Sequence, residues 1–304
     1  MRNDRIPPHR APLTRDGLLV AARSHFPPFP VEGGGVCYSA PEYAAAARAL
    51  GDFHSAQGPG REAPPTRSRA VNRIIALPGH AQKLILRPQR HGGALAWLWG
   101  DFVGSPNRSL RELEVLRQLR QRGAPVPVPV LAAATRRGGL WRVAMGTAFE
   151  EDTVDLETHL RDAPSSDWLR NSAREIGRAV RRFHDRGARH GDLHAANIVI
   201  RNEHARATHP GSPVTLVDLD RAVLREIVDT RDRMRDLMRL YRSLVKRGLL
   251  ERVGDRGLAM FLSGYASGDR GLRRRLLGAL PREQRRLRWH RLAWRLTREV
   301  PHPG

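Results

Sequence analysis

The chemistry-bearing residues fall in two short stretches: His190-Gly191-Asp192-Leu193-His194-Ala195-Ala196-Asn197, then Val217-Asp218-Leu219-Asp220-Arg221. Asp192 lies on a loop between a helical pattern and a strand pattern. Five residues later Asn197 opens that strand, and Asp218 ends the partner strand. A hairpin of the two strands brings Asn197 and Asp218 together, with Asp192 projecting from the preceding loop. A carboxylate, an amide and a second carboxylate are hard oxygen donors suited to magnesium. Phosphoryl transfer from a nucleotide needs such a set: Asn197 and Asp218 hold Mg2+ across the phosphates, and Asp192 orients or deprotonates the acceptor hydroxyl. Taken singly, Asp192 is a turn cap and Asp218 a strand-end carboxylate; the five-residue spacing and the strand pair argue for the joint role.

The neighbours have lesser parts. His190 and His194 are four apart, but they sit in a loop and lack a third ligand, which argues against metal binding by histidine. His190 is expected to buttress the loop and His194 to lie near the transferred phosphate. Asp220 and Arg221 either position the metal loop, bind an anionic substrate or form a plain salt bridge.

Helical and extended patterns place these residues. Residues 168–184 carry Leu169, Ala173, Ile176, Val180 and Phe183 on one face, and Gly187 follows the end of that helix. Two strands are expected over 197–200 and 214–219, and the pattern beyond Arg221 is helical. Upstream, residues 71–77 and 83–86 form a hairpin across Pro78-Gly79-His80. Residues 110–122 repeat leucine at helical spacing up to Gly123, alternating prolines force 124–130 to be extended, and 140–148 is a further strand. Residues 1–62 are rich in Pro and Gly, with a short helix over 41–50, and form an N-terminal extension of unassigned role. The fold class is therefore α+β and two-lobed: a small antiparallel-sheet lobe with one helix over 66–147, and a larger, mainly helical lobe over 150–304.

Composition sets the company the protein keeps. The chain has 304 residues and a formal net charge of +22, and Lys83 and Lys246 are its only lysines. Part of that arginine excess is a coding habit of GC-rich genomes; the remainder favours an anionic partner such as a membrane surface, a polyanionic substrate or nucleic acid. Cys37 is the only cysteine, which excludes an internal disulfide and a cysteine-rich metal site. No run of about 18 apolar residues exists, and a cytoplasmic protein is expected. Residues 282–300 form a basic amphipathic helix with Trp289, Leu292, Ala293 and Leu296 on one stripe; it suits either an anionic leaflet or packing on the lobe.

The motif HGDLHAAN with DLD after it resembles the catalytic and metal loops of the protein-kinase-like superfamily. A second resemblance is narrower. Leu84-Ile-Leu-Arg-Pro-Gln-Arg-His-Gly-Gly93, Leu98-Trp-Gly-Asp101, Ser109-Leu-Arg-Glu-Leu-Glu-Val-Leu116 and Gly123-Ala-Pro-Val-Pro-Val-Pro129 occur in order, as in the lipopolysaccharide core kinases. Within these the chain is most similar to the 3-deoxy-D-manno-octulosonic acid (Kdo) kinases, over roughly residues 66–245. The resemblance implies a protein-kinase-like fold and transfer of phosphate from ATP, with Mg2+, to a Kdo hydroxyl, in that family the 4-position. A Kdo-containing glycolipid would be the substrate, at the cytoplasmic face of an anionic inner membrane.

Carried over residue by residue, the phosphate-gripping cation is Arg87, with Lys83 as rival, and its acidic partner is Glu112, with Glu114 as alternative. Where the family has a glycine-rich loop, this chain has Thr66-Arg-Ser-Arg-Ala-Val71. Arg90, beside Arg87 and His91 and ahead of Trp97 and Trp99, is expected to meet the carboxylate or phosphates of the glycolipid. The alternatives are a kinase of a heptose, another small molecule or a protein, and a pseudokinase module that binds anionic lipid or RNA. No specific nucleic acid is expected, since only charge points that way.

Overall fold

The computed structural model describes residues 14–31, 34–50, 53, 61–62, 72–89, 102–162, 166–201 and 212–279. The segment 66–71, Arg90, His91, Trp97, Trp99 and the tail 282–300 lie outside them. The described residues open with α1 (Arg15–His25), started by Thr14, whose hydroxyl accepts from the Gly17 N–H at 3.1 Å. Strands β1 (Pro28–Val31) and β2 (Gly35–Ser39) follow, then a 3-10 turn and α2 (Ala44–Ala49). Next come β3 (Arg61–Glu62), β4 (Arg73–Ala76), β5 (Lys83–Pro88) and β6 (Phe102–Val103). Helix α3 (Asn107–Gln121) and the long strands β7 (Pro129–Arg137) and β8 (Leu140–Ala148) complete the small lobe.

These strands make one antiparallel sheet in the order β1-β2-β7-β8-β5-β4-β3, with β6 also on β8. Hairpin β4–β5 turns where the sequence put it, and His80 N–H closes the turn on the Leu77 carbonyl at 3.0 Å. The stretch expected to be an extension supplies β1 and β2, which continue the sheet beyond β7. Pro28 and Pro30 fit there because β1 is the sheet edge, where a missing N–H breaks no ladder.

Helix α3 packs Leu110, Leu113, Leu116 and Leu119 into the core, all fully buried. Each contributes about 2 kcal/mol of transfer free energy. The helix stops at Gly123, where φ is +74°; Gly123 N–H bonds the Arg120 carbonyl and Ala124 N–H bonds that of Leu119. That left-handed residue reverses the chain into the proline-alternating segment and β7.

The large lobe begins with β9 (Thr153–Asp155), α4 (Leu156–Arg161) and the 20-residue α5 (Ser166–Asp185). Strands β10 (Ala188–Arg189), β11 (Ile198–Arg201), β12 (Val214–Leu216) and β13 (Val223–Leu224) follow. Helices α6 (Thr230–Lys246), α7 (Leu250–Ala266) and α8 (270–279) end the described chain. Strands β12, β11 and β9 form one small sheet, and β10 pairs with β13 in another. Strand β13 departs from the expectation that the chain is helical from Arg221 onward. Two residues are too short to show a period, and they are extended because β10 pairs with them from far upstream. One core joins the lobes: leucines of α3 pack with Ile176, Val180 and Phe183 of α5, with Ile198 and Ile200 of β11, and with Val214 and Leu216 of β12.

Candidate active site

Hairpin β11–β12 and the loop ahead of it assemble the site. Val217 N–H bonds the Asn197 carbonyl at 3.0 Å, extending the strand pair to the point where Asp218 emerges. Asn197 is buried, and its Nδ2 donates to the Asp192 carbonyl at 3.1 Å, which leaves the amide oxygen for another partner. Asp218 has φ +63°, a left-handed conformation that costs a non-glycine residue energy and persists only when its surroundings enforce it. Its enforcers lie on each side: Val217 on Asn197, and Leu219 N–H on Glu112 Oε1 at 3.1 Å.

Arg87 closes the cluster from the small lobe. It projects from β5 opposite Met145 and bonds Glu112 Oε1 at 2.5 Å and Asp218 Oδ1 at 2.8 Å. Burial opposes its charge, but the two carboxylates outweigh that and raise its pKa, so the guanidinium stays protonated. Burial pushes the Glu112 carboxyl up, against the pull of Arg87. Lys83 is elsewhere: it pairs with Glu151 at 2.6 Å, half exposed at the start of β5. Glu114, fully buried two residues from Glu112, binds Arg117, Gln118 and His25 instead.

The loop itself hangs from one buried carboxylate. Asp236 of α6 accepts from His190 N–H at 2.6 Å and from Gly191 N–H at 3.0 Å, and meets His184 Nε2 at 3.3 Å. Gly191 has φ +75°, and a Cβ there would stand 2.5 Å from the Arg221 carbonyl oxygen, so only glycine fits between the two loops. His190 Nε2 donates to the Val217 carbonyl at 3.1 Å while Nδ1 faces the Asp192 N–H at 3.4 Å. A neutral imidazole satisfies both contacts and ties the Asp192 loop to the strand before Asp218. His194 Nδ1 is buried without a hydrogen-bond partner among the described residues. Asp220 forms an ion pair with Arg108 at the start of α3. Arg221 lies 3.9 Å from Asp192, and Arg239 of α6 donates to Asp192 Oδ1 at 2.7 Å.

Neither Asp236, Arg108 nor Arg239 was singled out from sequence. The available signal for Asp236 was its place in a stripe with Leu240, Ser243 and Leu244, a lone carboxylate on a buried helix face. Among the described residues no group of three His, Cys, Asp or Glu side chains forms a metal site. The chemistry of the donors nevertheless fits a magnesium ion: the Asn197 amide oxygen and Asp218 Oδ2, which Arg87 does not engage, are hard oxygen donors that could hold one.

Burial lowers the pKa of both His184 and His190, although neighbouring Asp236 pulls each the other way. For Asp236, burial alone would raise the pKa, but hydrogen bonds from His184 and the loop N–H bring it below its usual 3.8. The sign follows from proton uptake. The unfolded chain binds protons on its histidines at a higher pH than the folded one does. Stability contributed by the neutral imidazoles is therefore complete above their ordinary value of 6.5 and declines as pH falls below it. Asp236 adds a second loss below about 3.8. Chemical denaturation should show a midpoint that falls from about pH 7 to about pH 5; a flat profile over that window contradicts neutral burial of the pair.

Comparison with known proteins then narrows the field. The chain is 36% identical over 167 residues to the 3-deoxy-D-manno-octulosonic acid kinase of Xylella fastidiosa (strain M12), a match covering 53% of this chain and 61% of that protein. It is 35% identical over 175 residues to the 3-deoxy-D-manno-octulosonic acid kinase of Xanthomonas campestris pv. campestris (strain B100), covering 55% of this chain and 63% of that one. The matches thus span less than two thirds of either relative. Among solved structures, WaaP in complex with acyl carrier protein superposes with a TM-score of 0.44 at 19% identity, over 75% of this chain and 88% of that one. The family model for lipopolysaccharide kinases matches residues 101–265, more than half of the chain and all of the loop, hairpin and α6 that build the site. This chain belongs to the lipopolysaccharide kinase (Kdo/WaaP) family.

Proposed function

We propose that this protein transfers the γ-phosphoryl group of ATP to a hydroxyl of Kdo, at the 4-position, in a lipopolysaccharide precursor. The observation that carries the reading is the convergence of Arg87, Glu112 and Asp218 from three elements on one point, next to the loop of Asp192 and Asn197. There Arg87 grips the nucleotide phosphates and Glu112 aims it. Asn197 and Asp218 would hold Mg2+, which when bound would screen the phosphate charge, and Asp192 takes the proton of the acceptor hydroxyl. Family membership and the names of the bacterial relatives support a Kdo-type acceptor. The net charge of +22 supports work at an anionic membrane surface, on the cytoplasmic face where ATP is available.

The test is phosphate transfer from labelled ATP to a Kdo-bearing lipid A precursor, set against heptose, aminoglycoside and protein acceptors. Wild type should favour the Kdo acceptor. Arg87→Met should lower kcat/KM about 100-fold, while Lys83→Met stays within about threefold. ATP turnover that serves only another acceptor overturns the substrate, and the reverse ranking of the two cation variants overturns the phosphate anchor.

A further inference from the structure

Each oxygen of Asp192 faces an arginine that no feature of the loop requires. Arg239 donates through Nε to Oδ1 at 2.7 Å, and Arg221 holds its Nε 3.9 Å from Oδ2. The loop is already fixed through its backbone, by Asp236 to His190 and Gly191 and by Asn197 to the Asp192 carbonyl. Other arginines around the site turn Nη groups to carboxylates: Arg87 to Glu112 and Asp218, and Arg108 to Asp220. Arg239 and Arg221 differ. Their side chains are 39% and 60% exposed, and among the described residues their Nη groups donate to nothing. Two guanidinium forks with open ends therefore stand on both sides of the acceptor-facing carboxylate.

We propose that Arg239 and Arg221 form an anion subsite for the acceptor, gripping the carboxylate of a sugar acid while its hydroxyl meets Asp192. The inference rests on the Kdo reading above and adds which part of the acceptor the chain recognises. A planar carboxylate matches the Nη pair of a guanidinium, and both partners keep their charge at neutral pH. Arg239 retains Oδ1, so Oδ2, held by Arg221 only at 3.9 Å, is the oxygen that receives the hydroxyl proton. In the transfer the acceptor oxygen forms a bond to the γ-phosphorus as the bond to ADP breaks, the proton passes to Asp192, and the carboxylate is left unchanged. The subsite places one negative group of the acceptor beside the base, so a neutral sugar lacks half of the recognition.

The test compares a Kdo-bearing lipid A precursor with the same acceptor whose carboxylate is converted to the primary amide, using full-length protein. For wild type, KM should rise about 10- to 100-fold for the amide, the size of a lost charged hydrogen-bond pair. Arg239→Gln should raise KM for the carboxylate acceptor to a similar degree and erase the difference between the two acceptors, with KM for ATP unchanged. Arg239→Lys should restore part of the discrimination. Equal use of carboxylate and amide by wild type overturns the subsite, and that arm needs no variant to fold. A fall in kcat for Arg239→Gln with the carboxylate preference intact also overturns it, leaving Arg239 as a residue that only positions Asp192. Failure of wild type to phosphorylate either acceptor overturns the Kdo reading itself, and the subsite with it.

Discussion

Asp192→Asn is expected to lower kcat for phosphate transfer by about 10²- to 10⁴-fold while leaving ATP affinity nearly unchanged. Asparagine matches the shape of aspartate but cannot take up the hydroxyl proton. The reason to expect a clean result is how the loop is held. Its fixing contacts run to backbone groups: Asp236 to the N–H of His190 and Gly191, Asn197 to the carbonyl of Asp192, and His190 to the carbonyl of Val217. None depends on the Asp192 carboxylate. Rates with saturating acceptor, together with the ATP-induced shift in melting temperature, separate chemistry from binding. A variant with wild-type kcat removes Asp192 from the role of base.

Asp236→Ala should be the most destabilising single substitution near the site. Asp236 is 2% exposed and serves three donors at once, two backbone N–H groups and His184. His184 in turn meets the hydroxyl of Tyr265 at 2.7 Å, a group whose pKa burial pushes up to about 12 and which therefore remains a hydrogen-bond donor. Removing the carboxylate leaves buried donors with nothing to bond, at a cost of about 3–5 kcal/mol, and frees the loop that carries Asp192. Denaturant unfolding of the purified variant measures the first effect and kcat the second. A loss below about 1 kcal/mol means that the loop is held by its other contacts and that Asp236 is not its anchor.

The contrast between Asp192 and Asp236 also explains what is legible in the sequence. Asp192, Asn197 and Asp218 form a legible set because helix, loop and hairpin are local, and short spacings dictate which residues meet. The β4–β5 hairpin, the α3 helix with its Gly123 stop and the extended proline segment were legible for the same reason. Arg87 and Glu112 came only through resemblance, since 25 residues separate them and no period links them. Asp236 and Arg239 sit more than 40 residues beyond the loop they serve, on a helix whose sequence shows arginines and methionines at every turn. Likewise β1, β2 and β13 owe their extended form to pairing with distant strands, and β1 carries two prolines that disguise it.

Helix α1 has a consequence for how the small lobe behaves. It lies along α3, with Ala22 and Phe26 buried in the same core as Leu110 and Leu113, and His25 reaches the buried Glu114 at 3.1 Å. Helix α3 carries Glu112, which bonds Arg87 at 2.5 Å. Here that helix is sandwiched: the sheet holds one side and the N-terminal segment splints the other. Packing on two sides favours a fixed helix, and with it a lasting Arg87–Glu112 contact.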